Sequence, residues 1–189
     1  MAMALRAHHH KGEAMKTKLT ALAFLGAMLL LTGAGWAETK LEVKGVHLCC
    51  GNCVKTVGEI LKKIDGVTAK CDQKAGTVTI TAKDNEAAQK ALDALAAGGF
   101  HGDTGNKELK FKDDSGATAG KVKTLTLTGV HNCCGNCNKA ITATVSKVAG
   151  VTGNTAKAKS DTFEVTGDFD AAELVKALNA AGYHVKVKK

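Results

Sequence analysis

The sequence predicts an α+β chain made of two copies of one small unit. Three observations carry this. The stretch GVHLCCGNCVK at 45–55 returns as GVHNCCGNCNK at 129–139. The likeness runs on, so that residues 45–68 agree with 129–152 at 13 of 24 positions. Around both stretches the apolar residues switch between the period of a strand and that of a helix, in the order strand, helix, strand, strand, helix, strand.

Each element can be justified in turn. Lys40–Val46 alternates with Leu41 and Val43 on one face, and Val122–Val130 does the same with Leu125 and Leu127. After the cysteines, Val54, Val57, Ile60, Leu61 and Ile64 recur at helical spacing, as do Ile141, Val145 and Val148 in the second copy. Two short strands follow, Val67–Asp72 with Gly76–Ala82 and Val151–Lys157 with Thr162–Thr166, joined by hairpin-length turns. Second helices are expected over Asn85–Ala97 and Asp170–Ala181, closed by Gly98, Gly99 and Gly182 as helix C-termini prefer. A last strand is expected after Phe100 and after Tyr183. In the first unit the run HGDTGNK intervenes before Glu108–Lys112 reads as extended. This order is that of the ferredoxin-like βαββαβ sandwich, twice.

The predicted organisation is an upstream extension and leader (1–37), a first unit (38–112), a polar small-residue linker DDSGATAG (113–120) and a second unit (121–189). Units of this size can fold alone. Asp113 and Asp114 are expected to keep the linker solvated. From Met15 the leader has a basic start at Lys16 and Lys18, an apolar run Leu19–Leu31, and small residues Gly35 and Ala37 before the expected cleavage after Ala37. The apolar run falls short of the roughly 20 residues that span a bilayer. The product is therefore expected to be exported, periplasmic, and without a membrane span once the signal peptide is cleaved. What remains carries 22 basic and 17 acidic residues in dispersed positions. A nucleic-acid binder would show a basic stripe with interleaved aromatics, so no nucleic-acid partner is expected.

All seven cysteines follow the leader. An oxidising compartment makes Cys50–Cys53 and Cys134–Cys137 disulfides one reading. Adjacent cysteines bridge only with strain, so each cluster would then keep an odd thiol. The other reading is metal ligation. A C-x-x-C pair where a strand gives way to a helix places thiols at the positive helix end, which favours thiolate. Its two sulfurs can converge on one soft ion. Cys49 and His47, with Cys133 and His131, enlarge the donor set, and three thiolates plus an imidazole would complete a tetrahedral zinc site. Cys71 aligns with Thr155 and is expected in the core.

With C-x-x-C in the first loop and AAGY late in the unit, the chain resembles the heavy-metal-associated domain family once per unit. That resemblance implies metal binding by Cys50 with Cys53 and by Cys134 with Cys137. It also implies shielding of the site by the aromatics Phe100 and Tyr183. The family usually shows G-M-x-C-x-x-C. Here the methionine position holds Leu48 or Asn132, or else Gly45 and Gly129 are the family glycine and the loop is longer by two. His101 and His184 follow the aromatics and are expected at the surface.

The function expected is an exported binding protein for soft metal ions, Cu(I) ahead of Zn(II) or Hg(II), with up to one ion per unit. It would serve metal trafficking, sequestration or detoxification by thiolate exchange, with a metal transporter or another metal-binding protein as partner. No catalytic arrangement is expected. The alternative is a thiol–disulfide redox protein or a disulfide-stabilised interaction module. Thioredoxin-like enzymes place a cis-proline beside the reactive disulfide, and this chain contains no proline.

Overall fold

The computed structural model describes residues 38–188, and the expected signal peptide lies outside them. The first unit contains β1 (Thr39–Val43), α1 (Gly51–Leu61), β2 (Val67–Asp72), β3 (Thr77–Ala82) and α2 (Asn85–Ala97). The second contains β4 (Lys121–Thr128), α3 (Gly135–Val145), β5 (Val151–Asn154), β6 (Phe163–Asp170), α4 (Ala171–Ala180) and β7 (Lys186–Val187). The sheets are antiparallel with strand orders β1-β3-β2 and β5-β6-β4-β7.

Register and helical period together build each core. Pairing of Leu41 with Ile80 and of Val43 with Val78 turns these four side chains to one face. They bury there against Val57 and Leu61 of α1 and Leu92 and Leu95 of α2. In the second unit Leu127, Phe163 and Val165 meet Ile141 and Val145 of α3 and Leu174 and Leu178 of α4. Asp84 and Asp170 cap α2 and α4 by accepting from Ala87 N at 2.7 Å and Glu173 N at 3.0 Å, each satisfying an amide the helix start leaves free. The lysine–carboxylate pairs are exposed and add little. Among the described residues no helix is long and apolar enough to cross a membrane.

The first unit departs from expectation at its last strand. Glu108–Lys112 forms no ladder. The place beside β1 is held by one residue pair, Lys44 and Asp103, whose backbones exchange hydrogen bonds of 2.8 Å in both directions. Local side chains compete for the backbone that a strand would need. Asp103 Oδ1 accepts from Gly105 N (2.9 Å), Asn106 Oδ1 from Glu108 N (2.8 Å), and Thr104 Oγ1 donates to Leu109 O (2.6 Å).

The two units are joined by a second, reciprocal pairing. His101 N donates to Gly182 O and His184 N to Gly99 O, both at 3.0 Å, around an antiparallel bridge between Phe100 and Tyr183. Gly99 and Gly182 have φ of +80° and +88°. A Cβ on Gly99 would stand 2.2 Å from His131 N and 2.4 Å from Gly129 O. One on Gly182 would stand 2.4 Å from His47 N and 2.5 Å from Gly45 O. The glycine after each second helix therefore rests on the backbone of the other unit's cysteine loop.

Contrary to expectation, His184 is buried and His101 half-buried. His184 is 3% exposed, and its Nδ1 lies 3.2 Å from Nδ1 of His101. Nor does Asp114 merely solvate the linker. It accepts from His184 Nε2 at 2.7 Å and pairs with Lys186, while Ser115 O accepts from Val187 N at 2.8 Å. With His184 Nε2 turned to Asp114, its Nδ1 shares one proton with Nδ1 of His101. Burial first, then the His184 ring, hold His101 down to about 4, so His101 is neutral at pH 7.

Gly99→Ala with Gly182→Ala should open this joint while leaving both sheets folded. Left-handed backbone and the close carbonyls make each change cost about 1–3 kcal/mol. Small-angle scattering should show a larger radius of gyration with unchanged far-UV dichroism. An unchanged radius would show that the glycines do not set the approach.

Candidate metal centre

The two cysteine loops have the same construction. Cys50 and Cys134 are the extended N-cap residues of α1 and α3, with φ of −155° and −150°. Each helix starts at a glycine, Gly51 or Gly135, so the second thiol of the pair sits in the first turn. Cys53 and Cys137 are fully buried, and Cys49, Cys50, Cys133 and Cys134 are partly exposed. Leu48 is buried in the first core and Asn132 is buried in the second unit, where its Nδ2 donates to Lys157 O at 2.8 Å. Leu48 and Asn132 thus anchor the loops from beneath, one by apolar packing and one by hydrogen bonding.

The structure brings all six loop cysteines together. Cys49 Sγ lies 3.3 Å from Cys137 Sγ and 3.6 Å from Cys134 Sγ. Cys53 Sγ lies 3.7 Å from Cys133 and 3.9 Å from Cys137, and Cys50 Sγ lies 3.9 Å from Cys133 and 4.0 Å from Cys134. Within each loop the C-x-x-C sulfurs are 3.7 Å and 3.8 Å apart. These separations match the distances across the joint, so the sulfurs form one cluster. Every one of these thiols is free.

Histidines and aromatics close the cluster across the joint. His47 stacks on Tyr183 with ring centroids 4.5 Å apart, and His131 stacks on Phe100 at 4.3 Å. Each expected shielding aromatic therefore covers the other unit's loop. Tyr183 also donates its hydroxyl to Cys137 O at 3.2 Å. Nε2 of His47 and of His131 is buried without a hydrogen-bond partner, a costly state for an imidazole nitrogen unless something binds it. His131 groups with Cys53, Cys133 and Cys137, and His47 with Cys49 and Cys137, with donor atoms mutually within 4.8 Å. His101, His184 and Cys71 stand outside these groups. Cys71, expected in the core, is part-buried against its edge.

Crowding splits the thiols electrostatically. The amides of Cys137 and Asn136, at the start of α3, bring Cys134 down to about 7. This is the effect expected of a helix N-terminus. Burial pushes Cys49 up and Cys133 up to about 12. Cys53 is also raised, by its neighbour Cys137 and by burial, against a smaller pull from the His131 ring. Burial and then His131 lower His47, keeping it a neutral donor. A groove of about 850 Å³ lies elsewhere, lined by Lys44, Asp103, Lys112, Glu173 and Lys176, and contains no thiol.

A ferredoxin-like unit with a C-x-x-C loop at the start of its first helix defines a thiol-bearing ion-binding module, present here twice, the first copy with its last strand reduced to a single bridge. The heavy-metal-associated domain pattern matches residues 41–101 and 124–184, and the chain belongs to that family. No curated protein matches it. Among solved structures, it is similar to oxidized MerP from Ralstonia metallidurans CH34 at 30% identity, over 35% of this chain and 97% of that one, with a TM-score of 0.34. The copper-binding domain of HMA7, a P-type ATPase, matches at 14% identity over 36% and 96% (TM-score 0.34). The N-terminal soluble domains of Bacillus subtilis CopA match at 18% over 80% and 94% (TM-score 0.30).

The split in thiol acidity predicts an order of alkylation. In the reduced protein at pH 7, iodoacetamide should modify Cys134 before Cys49 and Cys133, since only thiolate reacts. The Cys134 rate should fall as pH drops below about 7. Peptide mapping by mass spectrometry checks this, and earlier labelling of Cys133 would refute it.

Proposed function

We propose that this chain is an exported soft-metal-ion binding protein that takes up Cu(I), in preference to Zn(II) or Hg(II), for trafficking or sequestration. The convergence of six free thiols and two unbonded imidazole nitrogens in one place supports this most directly. Thiolates select soft ions, and hard cations such as Mg²⁺ and Ca²⁺ would need the oxygen donors that the cluster lacks. Family membership points the same way. The leader pattern in residues 15–37 supports action outside the cytoplasm.

Access bears on the role. Cys53 and Cys137 are fully buried, whereas Cys50 and Cys134 retain exposure. An incoming donor from a transporter or another metal-binding protein can reach the N-cap thiols first. Complete transfer then requires the units to part, so holding metal is the resting condition and delivery a triggered one. The thiol–disulfide alternative has less support, because the order of elements is not that of thioredoxin-like enzymes and the chain contains no proline to stand beside a reactive disulfide.

Anaerobic competition against a coloured Cu(I) chelator tests the reading. The reduced protein should withdraw Cu(I). Replacing Cys50, Cys53, Cys134 and Cys137 together by serine should lower affinity at least 100-fold, about 2.7 kcal/mol. Failure of the fully reduced wild type to compete would sink the proposal in favour of the disulfide alternative.

A further inference from the structure

The cysteine loops can be asked a sharper question: how many ions do six sulfurs in these positions hold? For metal–sulfur bonds of about 2.3 Å, two sulfurs on one ion stand about 4.6 Å apart if linear, about 4.0 Å if trigonal and about 3.8 Å if tetrahedral. The contacts run from 3.3 to 4.0 Å. They therefore suit ions with three or more ligands, and a single ion can use at most four of the six sulfurs.

The pattern of neighbours is more informative than the distances. Three pairings, Cys49 with Cys133, Cys50 with Cys137 and Cys53 with Cys134, occur neither among the sulfur contacts nor within any candidate group. These are the three diagonals of a distorted octahedron of sulfur. Four groups of converging donors lie on alternating triangular faces, and the faces between them, such as Cys49, Cys53 and Cys137, have edges as short. One group is Cys49, Cys50 and Cys53; a second is Cys50, Cys133 and Cys134; a third is Cys53, Cys133 and Cys137 with His131 above it. The fourth joins Cys49, Cys137 and His47, and Cys134 completes it at 3.6 Å from Cys49 and 3.8 Å from Cys137. Every sulfur belongs to two of these faces, and three of the four faces draw sulfurs from both units.

From this geometry we infer that the two loops form one polynuclear centre, in which six bridging thiolates shared between the units hold about four monovalent soft ions, each by three sulfurs. The inference rests on the soft-metal reading above and replaces one ion per unit by a single shared cargo. Each bound thiol exchanges its S–H bond for bonds to two ions and releases its proton to solvent. Copper enters and stays as Cu(I), so no electron is transferred. Six thiolates with four monovalent ions leave a charge of about −2, facing the positive starts of α1 and α3. His47 and His131 lie over two faces as fourth donors. Cys49 and Cys133, outside the C-x-x-C pairs, are what turn two paired sites into a closed cage.

Native mass spectrometry during anaerobic Cu(I) titration of the reduced chain tests this. The expected result is a jump from the metal-free form to a four-copper form with little of the two-copper form. X-ray absorption of that form should show a short copper–copper vector. In a Cys49→Ser, Cys133→Ser double variant, verified as folded by circular dichroism, the four-copper form should disappear. Two ions added one after the other without a copper–copper vector, unaffected by that double change, would overturn the shared centre and leave soft-metal binding standing. No Cu(I) bound by the wild type would overturn both.

Discussion

Everything at the cysteine cluster depends on how closely two backbones approach at Gly99 and Gly182. A side chain at either position would enter the space of the opposite loop's amide and carbonyl. Because both are glycine, the chain leaving α2 pairs with the chain leaving α4, and each helix end seats on the other unit's loop. Two hydrogen bonds fix the register of that pairing. The register decides which aromatic meets which histidine, and the histidines flank the thiols. A shift of one residue would turn Phe100 and Tyr183 away from the rings they cover.

The joint also separates two chemistries on either side of the aromatic pair. On one side lie the crowded sulfurs, with Cys49, Cys53 and Cys133 held toward the thiol. On the other, His101, His184, Asp114 and Lys186 form a hydrogen-bonded polar chain backed by Phe111. That chain recruits the connecting segment, so the linker fastens the joint as well as spanning it. The buried imidazoles there are mutually satisfied, and those at the cysteines are not. The contrast is what supports the proposal of His47 and His131, rather than His101 and His184, as metal donors.

Much of this was legible in the sequence, and the reasons differ by feature. Helices and strands follow from apolar period, and β2 and α2 stand where periodicity puts them. The first unit's missing strand was obscured because Asp103, Thr104 and Asn106 redirect the backbone with their side chains, which a hydropathy pattern does not register. The thiol donors could be read from residue type and spacing. Their convergence could not, because the contact that creates it is made by backbone atoms of residues some eighty positions apart. One signal did exist: the repeated glycine–aromatic–histidine ending GFH and GYH, whose retention in both copies marks a shared contact.

Joining the two units in one chain has a consequence beyond doubling the donors. A face-to-face pair of identical single units would dissociate on dilution, whereas a short tether keeps its halves at an effective concentration in the millimolar range. Fusion also releases the halves from identity. Leu48 faces no requirement to match Asn132, and the hydroxyl of Tyr183 has no counterpart on Phe100. The fused pair can therefore possess a front and a back, with one thiol, Cys134, drawn toward thiolate and one loop tied down by a tyrosine. A symmetric dimer has no means of choosing which side opens first; this chain does.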